Sequence, residues 1–160
     1  MPHSKEEGQP HNNENRSSRK FSVGTQRGSD ILITVMLIVP ETRKAISLYK
    51  DALGARELWN LGGLAGLEIC GSPFYLHEVN RENRFESNPA DVGITSSRVE
   101  VFVDDPDSFI EQAIKAGATK GSPIEDHQRP RGTHRQGSFR DPFGHNWSVG
   151  DKSPLSQHVG

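Results

Sequence analysis

His77 and Glu78 stand side by side, two residue types suited to acid/base work. The pair reads as part of one strand, where neighbours point to opposite faces. At most one of the two can then line a cleft, and the other caps a strand end at the surface. His134, in His134-Arg-Gln136 behind a polar stretch with Pro130 and Gly132, reads either as part of a lid or as a solvated loop residue. His145 follows a turn glycine and reads as a hairpin residue. Cys70 is the only cysteine and sits in an apolar run with Leu67 and Ile69, so it reads as a small core residue rather than a nucleophile. One cysteine makes an intramolecular disulfide impossible, which fits a reducing cytoplasm. The chain shows no phosphate loop, nucleophile elbow or zinc spacing.

These residues must be positioned by short strands and two helices. Ile31 to Val39 is rich in β-branched residues and stops at Pro40, a buried strand. Ala45, Ile46, Tyr49, Ala52 and Leu53 then share one helical face, and Gly54 supplies the left-handed end. Glu57 to Trp59, Ala65 to Cys70 and Pro73 to Val79 read as strands, and residues 80–96 as a connector. The order recurs. Val99, Val101 and Val103 alternate along a strand, Asp105-Pro106 starts a helix with a cap and a proline, and Gly117 ends it. A weak strand spans Ala118 to Ile124, a polar loop 125–133, and a hairpin closes around Asp141-Pro-Phe-Gly144.

The 160 residues suit one domain. Residues 1–29 hold few large apolar side chains and read as a disordered tail, with a targeting peptide as the weaker reading. Residues 152–160 read as a short C-terminal tail. A net charge of -2 with mixed signs gives no basic stripe for nucleic acid, and no apolar window is long enough to span a membrane.

The internal repeat, strand, helix, Gly-Ala and further strands, carries the fold assignment. Thr34-Val-Met-Leu-Ile-Val-Pro40 with Leu53-Gly-Ala55, Val99 to Asp105 with Ala116-Gly-Ala118, and Phe139-Arg-Asp-Pro-Phe-Gly-His-Asn-Trp147 resemble the glyoxalase, bleomycin-resistance and extradiol-dioxygenase (vicinal oxygen chelate) superfamily over about 31–151. The ending is similar to the PhnB-like branch. The resemblance implies an α+β domain at 30–151, with two βαβββ modules at about 31–79 and 97–150. These form a cupped mixed or antiparallel sheet with helices on its outer face. Metal-dependent members carry His or Glu on the first and last strands of each module. Those positions fall here on Thr34, Tyr75 (within one residue, which would admit Leu76 or His77), Arg98 and Ser148. None is a good ligand, and Arg98 places a permanent cation where the ion would sit. The expectation is therefore no metal and no cofactor.

Strand alternation then lines the expected cleft with Thr34, Tyr75, Arg98, Glu100, Asn146 and Ser148, with His77, Glu78 or His134 as acid/base or lid groups. Such a lining suits a small ligand with an anionic or oxygen-rich group, unless Arg98 simply pairs with Glu100. Three functions stay open. The first is a cytoplasmic, homodimeric protein that sequesters a drug or metabolite. The second is a glyoxalase-like lyase or isomerase, metal-free or with non-standard ligands. The third is a structural or regulatory module.

Overall fold

The computed structural model describes residues 33–83, 85–130 and 132–155; the expected tail at 1–29 lies outside the described residues. The first strand is β1, Met36–Val39, stopped by Pro40. Helix α1, Thr42–Leu53, buries Ala45, Ile46, Tyr49, Ala52 and Leu53, and Gly54 ends it at φ 63°. Three antiparallel strands follow, β2 (Arg56–Asn60), β3 (Leu64–Ile69) and β4 (Ser72–Glu78). Cys70 corrects its reading as core. It is exposed, at φ 48°, in the turn between β3 and β4 that Gly71 completes.

The connector contains a one-turn helix α2, Pro89–Val92, and leads into β5, Arg98–Val103. Helix α3, Pro106–Lys115, is capped as its sequence suggests: the Asp105 carboxylate accepts from Ser108 N–H at 3.1 Å. Four strands complete the chain: β6 (Thr119–Lys120), β7 (Glu125–Arg129), β8 (Gly132–Arg140) and β9 (Asn146–Asp151). The polar loop expected at 125–133 is thus largely strand, with Glu125 opposite Gln136 and His127 opposite His134. An edge strand exposed on both faces carries no apolar period, which hid β7 in the sequence.

Each module makes its own mixed sheet. The orders are β1-β4-β3-β2 and β5-β9-β8-β6 with β7 also on β8, and the first strand of each module is parallel to the last. The architecture is α+β, as the repeat implies. One hydrophobic core serves both sheets. Leu37, Val39, Leu67 and Leu76 of the first pack with α1, Trp147, Phe139 and Val149 of the second. Trp147 is 1% exposed, its ring centroid 5.7 Å from Tyr49 and 6.1 Å from Phe74.

Asp141 fastens the modules. One carboxylate oxygen accepts from the Tyr49 hydroxyl at 2.8 Å and Trp147 Nε1 at 2.9 Å. The other accepts from the backbone N–H groups of Phe143 (2.9 Å) and His145 (3.0 Å). Burial, then the Asp141 charge and its hydrogen bond, push the Tyr49 phenol well above its ordinary pKa. His145 is more than a turn residue: it is buried, with Nε2 2.9 Å from the Ile38 carbonyl oxygen of the first module.

Candidate functional site

Strand pairing fixes which side chains share a face, because directly opposed residues point the same way. In the first sheet, Leu37, Leu76 and Ala65 lie in one row and are buried against the helices. The neighbouring row, Met36, Tyr75, Gly66 and Trp59, therefore occupies the open face. Trp59 and Tyr75 meet at 5.4 Å between ring centroids. A Cβ on Gly66 would come 2.5 Å from the Trp59 indole, so only glycine lets that ring lie down on the sheet. The next open-face row holds Ile38, His77 and Leu64, with His77 Nδ1 3.8 Å from Glu86. The Thr34 hydroxyl donates to the Pro73 carbonyl at 3.0 Å.

Glu78 faces the other way. Its Oε2 accepts from Thr42 N–H at 3.2 Å, satisfying one of the unpaired donors of the first turn of α1. That bond sits at a helix end, on the opposite side of the sheet from His77.

The second sheet follows the same rule. Val99, Trp147 and Phe139 share the core side, so Arg98, Asn146 and Arg140 share the open face, followed by Glu100, Ser148 and Ser138, then Phe102, Gly150 and Gln136. Arg98 reaches Glu100 at 2.7 Å in an exposed pair, an interaction that contributes little net stability and leaves further guanidinium donors for a ligand. Gln136 Nε2 donates to Ser148 Oγ at 2.8 Å. Two cavities lie over this face, of about 470 and 620 Å³, and Arg98 and Gln136 line both. Glu100, Phe102 and His134 line the smaller, and Asn146, Ser148 and His127 the larger.

His134 is not a lid. It sits on β8, is 6% exposed, and lies over Gly150, where a Cβ would come 2.6 Å from its Cε1. Its Nδ1 is 2.8 Å from Asp151 Oδ1 and 3.1 Å from Ser153 Oγ. Desolvation draws the Asp151 carboxyl upward, but hydrogen bonds from Ser153, His134 and Arg135 outweigh it and hold the group well below the ordinary carboxylate range.

The expected cleft is thus divided. Arg98, Glu100, Asn146, Ser148 and His134 come together on the second sheet. Thr34, Tyr75 and His77 belong to the open face of the first, and the two cavities over the second face are lined by residues of the second module together with Ser153 and Pro154 just beyond it. Strand alternation located each face but carried no information on which two sheets face one another. Gln136 and Asp151 were missed. Alternation from His134 finds Gln136, whereas Asp151 lies at the strand end, where the alternation signal stops.

No three His, Cys, Asp or Glu side chains converge as a metal-holding group among the described residues. Thr34 and Tyr75 offer a hydroxyl and a phenol on the first face, and Arg98 and Ser148 a cation and a hydroxyl on the second.

Residues 31–149 match the model of the Glyoxalase/Bleomycin resistance protein/Dioxygenase superfamily. The chain belongs to this superfamily. An uncharacterised protein of Mycobacterium bovis is 31% identical over 122 residues, 71% of this chain and 78% of the relative. Among solved structures, TioX from Micromonospora sp. ML1 superimposes with a TM-score of 0.58 at 24% identity, over 76% of this chain and 95% of TioX. The fosfomycin resistance protein FosX from Mesorhizobium loti gives 0.56 at 14% identity, over 81% and 98%. The two sheets and paired helices of this superfamily member are the fold those structures share.

Proposed function

We propose that this chain is a small-molecule-binding member of its superfamily that works without a metal ion. It takes a ligand with an anionic or oxygen-rich group on the open face of its second sheet, and by this reading sequesters a drug or metabolite. The observation that carries the proposal is the convergence of Arg98, Asn146, Ser148 and Gln136 around two adjoining cavities. An arginine offers paired donors to a carboxylate or phosphate, and the hydroxyl and amide groups suit further oxygens. The donor chemistry of Arg98 and Ser148 on this face supports a metal-free site. A homodimer fits this reading. Among the described residues β1 and β5 are each paired along one edge only, and the Trp59–Tyr75 row of a second copy is a suitable apolar wall opposite the polar one.

A thermal-shift panel of anionic and aromatic compounds tests the reading, with elemental analysis of the same preparation. Ligand at a hundredfold excess over its Kd adds about 2.7 kcal/mol, a shift of several degrees for a domain of this size. Arg98→Ala should remove the anionic hits and leave the unliganded melting point near its starting value. Uniformly null shifts, or stoichiometric Zn, Ni, Mn or Fe, would sink the proposal.

A further inference from the structure

We propose that His134, oriented by Asp151, is the proton acceptor of the second open face, and that the ligand taken at its end of the groove carries an acidic hydroxyl. This rests on the ligand-binding reading of that face and narrows it to a chemical class.

The Asp151 carboxylate already accepts from Ser153 N–H at 3.0 Å and Arg135 N–H at 3.1 Å. Facing that acceptor at 2.8 Å, His134 Nδ1 must carry the proton. The neutral ring then presents Nε2 as an acceptor, the arrangement in which a second partner fixes the tautomer. The ring is also held still. Gly150 leaves room beneath it, and Phe102 lies at 6.3 Å between centroids. His134 and Phe102 both line the 470 Å³ cavity, so an apolar contact and a proton acceptor meet at one end of it. Other charged groups on that cavity are Arg98 and Glu100, which pair with each other, and Arg129; His127 lies opposite His134 in the β7–β8 register.

The step balances within the site. The ligand O–H breaks, its proton goes to Nε2, and the electron pair stays on the ligand oxygen. The resulting imidazolium keeps Nδ1–H on an ionised Asp151, which stabilises it. His134 would touch the ligand, and Asp151 is a positioning residue that acts through it.

The test uses the full chain and two probes differing by one proton donor, 4-nitrophenol and 4-nitroanisole. Nitrogen NMR of the His134 imidazole should show the proton on Nδ1 and a bare Nε2. 4-Nitrophenol should bind roughly tenfold more tightly than 4-nitroanisole, the scale of one well-placed hydrogen bond, and should shift the Nε2 resonance. His134→Leu should abolish that preference, so that the two probes bind alike. Asp151→Asn should redistribute the proton between the ring nitrogens and weaken the preference. A proton found on Nε2, or equal affinity of the wild-type chain for both probes, overturns the proposal. So does failure of both probes while anionic compounds still raise the melting point. A panel with no hits instead removes the ligand-binding reading beneath it.

Discussion

At the scale of single residues, Asp141 shows how a turn signal acquires a second duty. The Asp-Pro-x-Gly pattern predicts a side chain that accepts from its own turn, and it does so from Phe143 and His145. The second oxygen, bonded to Tyr49 and Trp147, joins a helix of one module to a strand of the other. Asp141→Asn would turn one acceptor into a donor facing donors, at a loss of about 3 kcal/mol in urea unfolding. Tyr49→Phe removes a single bond and should lose about 1 kcal/mol. The raised Tyr49 pKa also gives a pH dependence. Its contribution is fully present below about pH 10, where an unfolded tyrosine ionises, and is lost as pH rises toward the folded value. Wild-type stability should therefore fall more steeply than that of Tyr49→Phe above pH 10. Parallel slopes would contradict the account.

At the scale of elements, both long helices were legible because capping and apolar period agree. Gly54 and Asp105 sit where the local chemistry requires them. Asp105→Ala should lower stability by about 1 kcal/mol, measured by chemical denaturation, because the Ser108 N–H loses its acceptor. No change on substitution would mean that water replaces the cap. The edge strand β7 was illegible, since its order comes from pairing with β8 rather than from its own residues. The contact made by Glu78 was hidden for a similar reason. Its partner, Thr42, lies 36 positions away and meets it only because β4 runs beside β1, the strand that leads into α1.

At the scale of the whole molecule, two sheets share one core and turn separate open faces outward from it. If a second copy supplies the missing wall, light scattering at micromolar concentration should give the dimer mass, and Trp59→Ala with Tyr75→Ala should weaken association. A monomer under those conditions would contradict the homodimer. The sequence by itself determined the repeat, the α+β class and both main helices, because these follow from local period and capping. Which faces share a cavity, that Cys70 is exposed, and that His134 is held by Asp151 were decided only by the tertiary structure. Those facts depend on strand register and on contacts between residues far apart in the chain, which no local pattern encodes.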